Sequence, residues 1–245
     1  MLLRRRDLAL DESINDYITN GIVLWLDGKD KGNNTSVWPD RCGNYNFNLN
    51  NCTFTNNGVV FNGSNSYGSN KDGFGITTDT ATIEYCVEMD YTNGDFTNGA
   101  VLCPTQANSR TNIGACIRYQ NDTTPFGMTA IVYLDTTTPR ATPVSTLTNK
   151  IIFSGVADGL TQDLAYCLFN GEACSWTSQT GFAPNNSDTE TTIGCRHRTI
   201  TNPVYNMLLK GIIHSIRVYN RKLTTQEMLV NQRVDNKRFN FGLTI

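Results

Sequence analysis

Leu208–Val234 reads LLKGIIHSIRVYNRKLTTQEMLVNQRV, and its two halves follow different periods. Up to Tyr219 the residues are β-branched and aromatic, with no proline, which is the composition of a long central strand. Alternation puts Ile212, Ile216 and Val218 on one face and Ile213 and Tyr219 on the other, so both faces are expected to be covered. His214 shares the face of Ile212 and Ile216, where a hydrogen-bonded or half-buried imidazole is expected. Then the period changes. Thr224 and Glu227 have the spacing of a capping box, and Leu223 and Met228 that of a hydrophobic staple across it. This predicts a helix from about Thr225 to about Asn236. A strand so long and apolar needs a sheet beside it and a second layer over it.

The rest of the chain supplies the partners. Ile22–Asp27 (IVLWLD) reads as the first firm strand. Thr82–Tyr91 (TIEYCVEMDY) alternates cleanly. Ile83, Tyr85, Val87, Met89 and Tyr91 point to the core, while Thr82, Glu84, Cys86, Glu88 and Asp90 point to solvent or a cleft. Asn170-Gly171 is a two-residue hairpin signal between LAYCLF and EACSW. In all, about a dozen short strands precede one terminal helix. The fold expected is all-β: a two-sheet antiparallel jelly-roll sandwich with a short C-terminal helix and an N-terminal arm. Residues 1–20 form the arm and 21–245 the domain. The closing stretch, Phe239–Ile245, is expected to pack beside the arm.

Composition excludes several classes. The chain has 245 residues, only 17% of them charged, and a net charge of −2, so it carries no overall electrostatic footprint for nucleic acid. No apolar run approaches the ~18 residues of a membrane span. The opening MLLRRRDLAL lacks the apolar core of a signal peptide, and classical secretion is not expected. The eight cysteines contain no C-x-x-C pair, so zinc is not expected and mostly free, buried thiols are. Cys42 with Cys52, or Cys167 with Cys174, stand where a bridge between neighbouring strands could form.

Four stretches carry a resemblance. They are Gly21–Asp27, the turn Trp38-Pro39-Asp40-Arg41-Cys42-Gly43-Asn44, the turn Val60-Phe61-Asn62-Gly63-Ser64 with Ser66-Tyr67, and the strand Lys210–Arg221. They resemble the concanavalin A-like lectin/glucanase superfamily, in its laminin-G-like and pentraxin-like jelly-roll branch. Leu168–Glu172 fits a hairpin of the same family. The match is specific for fold and weak for function, because its motifs are turns and core positions. The Arg4-Arg5-Arg6 start, with Val234–Phe239 near the end, also resembles proteins of gut bacteria and their phages.

The resemblance raises hydrolysis first. Glucanases of the superfamily carry E-x-D-x-E or E-x-D-x-x-E on one strand face. Glu88-Met89-Asp90 supplies two of the acids, but Thr92 and Asn93 stand where the third belongs. Retaining hydrolysis needs two carboxyls about 5–5.5 Å apart across the scissile bond. Glu84 lies on the wrong side of Asp90 to substitute, so no enzyme is expected. Calcium is the cofactor the resemblance brings into view, with Asp27 and Asp30 as its ligands; an Asp- and Asn-rich loop is more often only a turn. Glycan binding needs aromatic platforms and planar polar groups. Trp176, Tyr119, Arg196 and His197 are its candidates, against the plainer reading of a core tryptophan and a solvated bend.

Two functions are weighed. The first is a non-catalytic structural or adhesion protein, a head or tail decoration of a phage virion. It would touch glycans of a cell surface or mucus. Arg4, Arg5 and Arg6 in the arm would dock it onto other virion or surface proteins, in a homo-oligomer or larger assembly. The second is a carbohydrate-active enzyme, or its accessory module, from a gut bacterium. The virion is the expected location under the first, the bacterial cell surface or cytoplasm the alternative.

Overall fold

The computed structural model describes residues 16–30, 35–71, 80–90, 99–104, 114–120, 127–133, 140–142, 148–158, 164–177, 190–197, 205–206 and 208–245. The first strands are β1 (Ile22–Asp27), β2 (Val37–Trp38), β3 (Phe47–Asn50), β4 (Thr53–Phe54), β5 (Val59–Asn62) and β6 (Tyr67–Asn70). The middle ones are β7 (Thr80–Met89), β8 (Gly99–Pro104), β9 (Gly114–Gln120), β10 (Gly127–Tyr133), β11 (Arg140–Thr142) and β12 (Lys150–Asp158). Then come β13 (Leu164–Phe169), β14 (Glu172–Thr177), β15 (Thr191–Ile193), β16 (Arg196–His197), β17 (Tyr205–Asn206), β18 (Lys210–Tyr219) and the helix α1 (Thr225–Arg238).

Apart from the β16–β17 ribbon, the strands form two antiparallel sheets packed as a sandwich, as the alternation predicts. The first sheet runs β4-β5-β18-β7-β12-β13-β14, with β1 beside the second half of β18. The second runs β2-β3-β6-β15-β8-β9-β10-β11. Strand β14 serves both: Glu172–Cys174 pair with β13, and Ser175–Thr177 pair with β11. At the β13–β14 turn, Asn170 (φ 49°) and Gly171 (φ 87°) both take the left-handed conformation of the Asn-Gly hairpin. Six strands were not legible as separate runs: β2, β4, β6, β11, β16 and β17. Each has two to four residues, too few for a period to show.

Between the sheets lies one apolar core. Ile83, Tyr85, Val87 and Met89 of β7 enter it as expected, against Trp38, Phe47, Phe61, Phe153 and Ile193. On β18 the sequence-based faces need correction. Ile213 pairs with Val87 and Ser215 with Cys86, so His214 is an extra residue in a bulge. A bulge shifts the phase by one. Ile213 therefore joins Ile216 and Val218 in the core, and Ile212 does not. Strict alternation assumed an unbroken ladder. His214 itself is 3% exposed, and its Nδ1–H donates to the Asn57 carbonyl at 3.0 Å, as a buried imidazole should.

The helix starts as its sequence demands and ends two residues beyond the expected Asn236. The Thr224 hydroxyl oxygen accepts from the Glu227 N–H at 3.2 Å, and Glu227 accepts from the Thr224 N–H at 2.8 Å. Arg221 grips the same carboxylate with both terminal nitrogens, at 2.7 and 3.0 Å. These bonds hold the Glu227 carboxyl down at about 2. A carboxyl lowered by folding stabilises above its unfolded value, about 4.3, and the contribution is lost as pH falls toward that folded value. Urea unfolding between about pH 5 and pH 2 is expected to show a loss of about 1 kcal/mol that is missing in Glu227→Gln.

Candidate functional site

The outer face of β7 was expected to meet solvent or a cleft. It is roofed instead, by α1 and the closing segment. Thr82, Glu84 and Cys86 are buried there, Glu84 at 1% exposure. Phe239 and Phe241 pack on Cys86 and Ile152, with Leu243 and Ile245 beside them. The closing segment therefore lies over β7 and β12. Of the arm, Tyr17 packs elsewhere, on Trp25 and Val234. Residues 1–15, including Arg4, Arg5 and Arg6, lie outside the described residues.

Beneath the helix sits a sealed polar cluster. Arg217, fully buried, donates from Nε to Glu84 at 3.0 Å and from Nη1 to Asp235 at 2.9 Å. Glu84 also accepts from Asn231 Nδ2 at 2.7 Å and from the Ser154 hydroxyl at 2.9 Å. Gln232 donates to that hydroxyl oxygen at 2.9 Å, and its own amide oxygen accepts from the Gly171 N–H. Two carboxylates thus face one guanidinium. Burial pushes the Glu84 carboxyl up; Arg217 pulls it back, and Asp235 pushes it up further. For Arg217, burial acts downward, but Asp235 and Glu84 outweigh it and keep the guanidinium charged. Closed by helix and sheet and by Tyr17, whose hydroxyl donates to Asp235, the cluster fastens α1 to the sandwich.

Glu88 and Asp90 occupy the exposed end of the same strand face. Glu88 pairs in register with Ile212, and its carboxylate is 3.9 Å from His214 Nε2. That buried nitrogen has no hydrogen-bond partner. Burial pushes the His214 imidazole below its ordinary range. Phe239 and Phe241 stand 5.1 Å from its ring. Asp90 pairs with Lys210 at 3.2 Å. Thr92 and Asn93 lie outside the described residues.

The glycan candidates sit on separate strands. Trp176 pairs with Ala141, Ala141 with Ala130 and Ala130 with Ile117, so these four form one row across β14, β11, β10 and β9. Tyr119 is two residues beyond Ile117, opposite Met128. Three strand spacings separate β14 from β9, about 14 Å. Arg196 and His197 form β16, whose two-stranded ribbon with β17 pairs them with Asn206 and Tyr205. The four thus lie on three strands, β14, β9 and β16. Position in a strand ladder leaves no trace in residue type, so their spacing could not be read from the sequence.

Asp27 and Asp30 are engaged by cations of the chain itself. Arg238 donates to both Asp27 oxygens at 3.1 Å and lies 3.4 Å from Asp30, which also pairs with Arg41. Among the described residues no group of three or more His, Cys, Asp and Glu side chains could hold a metal ion. The described cysteines Cys42, Cys52, Cys86, Cys167, Cys174 and Cys195 are free thiols, although Cys167 and Cys174 face each other directly across β13 and β14. Burial pushes Cys42, Cys52 and Cys195 up to about 12, which makes them poor nucleophiles. No helix among the described residues is long and apolar enough to cross a membrane.

Two face-to-face antiparallel sheets with one terminal helix define an all-β sandwich. Trypanosoma rangeli sialidase is similar over 89% of this chain and 33% of its own, at 17% identity and a TM-score of 0.60. The same sialidase in complex with sialic acid gives 0.62 at 17% identity, over 89% and 34%. The binding domain of botulinum neurotoxin DC in complex with SialylT gives 0.63 at 8% identity, over 88% and 52%. Likeness at such identities shows the fold alone, and the expected sandwich is borne out at that level. This chain spans about a third to a half of the solved chains it matches. No protein-family model matches it, and no curated protein does.

Proposed function

We propose that the chain is a non-catalytic carbohydrate-binding module with a structural or adhesive role, carried on a larger assembly such as a phage virion. The observation that carries this reading is the roofed outer face of the first sheet. The strand that resembles a catalytic one has Glu84 locked under a helix and Asp90 paired with Lys210. Among fold neighbours, the sialidase and toxin complexes contain sialic acid and SialylT, so a sialylated glycan is the ligand class proposed here. Arg196 is the group suited to its carboxylate, Trp176 and Tyr119 to its ring faces. Arg4, Arg5 and Arg6 dock the module to its assembly.

A glycan array with sialylated and desialylated members tests the reading. Binding is expected to fall about tenfold or more with Arg196→Ala or Trp176→Ala, and to be unchanged in Glu88→Gln. The second reading is a carbohydrate-active enzyme, favoured by His214 Nε2 standing 3.9 Å from Glu88. Glycan cleavage that disappears in Glu88→Gln would establish it and sink the first.

A further inference from the structure

Tyr17 and Ile18 are held the way a bound peptide is held. The Tyr17 hydroxyl donates to Asp235 at 2.7 Å. Its ring lies 4.4 Å from the Arg217 guanidinium and meets Trp25 edge-on at 5.3 Å. Ile18 is read through its main chain: its N–H donates to Asn231 Oδ1 at 2.9 Å, and its C=O accepts from the Tyr219 hydroxyl at 2.9 Å. Every partner but Trp25 comes from β18 or α1, some 200 residues away in sequence. The slot is thus complete without the segment that fills it, and only Thr19-Asn20-Gly21 tether that segment to β1. The tether is a turn with Gly21 at φ 81°, closed by one 3.2 Å bond from the Ile22 N–H to the Thr19 carbonyl.

We infer that this slot binds an extended Tyr-Ile segment in trans, and that the Tyr17–Ile18 segment of a second copy replaces the chain's own, joining copies by exchanged arms. The present occupant argues for the second copy. Its sequence is identical, so exchange restores every contact of Tyr17 and Ile18 and costs the opening of the Thr19–Ile22 turn and of the bonds that Arg221 Nε and the Asn220 N–H donate to the Asn20 and Gly21 carbonyls. The tethered segment competes at an effective concentration of order 1 mM, so exchange wins where copies are crowded, as on an assembly. This deepens the assembly part of the function proposed above and does not depend on glycan binding.

The test uses the full chain. Tyr17→Ala with Ile18→Gly empties the slot, and a fluorescein-labelled peptide of residues 14–21 (INDYITNG) is the probe. Anisotropy is expected to show binding to this variant, about tenfold weaker binding to the native chain, whose own segment competes, and about tenfold weaker binding of the peptide carrying Tyr17→Ala. In sedimentation the native chain is expected to dimerise as concentration rises, while the variant stays monomeric. Tyr17→Ala alone, which vacates the part of the slot between Arg217 and Trp25, serves as acceptor should the double variant not fold. A folded acceptor that ignores the peptide overturns the slot. Equal dimer fractions in native chain and variant, or a native chain monomeric throughout, overturn the exchange. Neither result bears on docking through Arg4–Arg6, which particle microscopy of an alanine variant reads separately.

Discussion

Arg217→Met is expected to lower the unfolding free energy by about 3–5 kcal/mol and the melting temperature by about 10 °C. The methionine fills much of the space but leaves Glu84 and Asp235 buried without their cation, at 1% and 0% exposure. Uncompensated buried charge is the costly outcome, far more than the loss of the pair's own attraction. Glu84→Gln is the contrasting variant. It removes one of the two anions; its amide oxygen can still accept from Arg217 and Asn231, and its NH2 meets the Ser154 hydroxyl oxygen, which can accept, so a change within about 1 kcal/mol is expected. Urea titration with calorimetry checks both. An Arg217→Met loss under about 1 kcal/mol would mean that water reaches the cluster and the roof is not sealed.

Asp40→Ala is expected to cost about 3 kcal/mol. One Asp40 oxygen accepts from the N–H groups of Trp25 and Cys42 at 2.8 and 3.0 Å; the other accepts from Asn44 and Tyr45, each at 3.1 Å. Four main-chain donors lose their acceptor together, and the turn that carries them opens. Asp40→Asn keeps one oxygen, so its loss should be about half as large. Hydrogen exchange gives the direct check: the amides of Trp25, Cys42, Asn44 and Tyr45 should exchange faster in both variants, most in alanine. Unchanged exchange at Trp25 would show that Asp40 does not support β1.

The same residues show what sequence could and could not say. Trp38–Asn44 was legible as a turn, and the structure adds that its Asp40 side chain holds four amides. Thr224 and Glu227 were legible because a capping box is local: both partners lie within one turn. The outer face of β7 was misread for the opposite reason. Alternation reports that a face is polar, not whether another element covers it. Arg217 on β18, Asn231, Gln232 and Asp235 on α1, and Phe239 and Phe241 of the closing segment make that face an interior, and all lie more than 130 residues from Glu84. The β18 bulge was invisible for a related reason, since an extra residue shows only against its partner strand. The spacing of Trp176 and Tyr119 is set by pairings among β9, β10, β11 and β14 that no local pattern encodes.

Because β14 hands its pairing from one sheet to the other, the ladder runs unbroken from β2 to β4. Both ends of that path are stubs of two residues, Val37–Trp38 and Thr53–Phe54. The side of Trp25 turned away from β18 is blunted too, its N–H taken by Asp40 and its C=O by the Arg41 N–H. A neighbour seeking to polymerise by adding strands finds almost no template there. Among the described residues, then, side chains and swapped segments offer more than extended backbone does for joining one copy to the next.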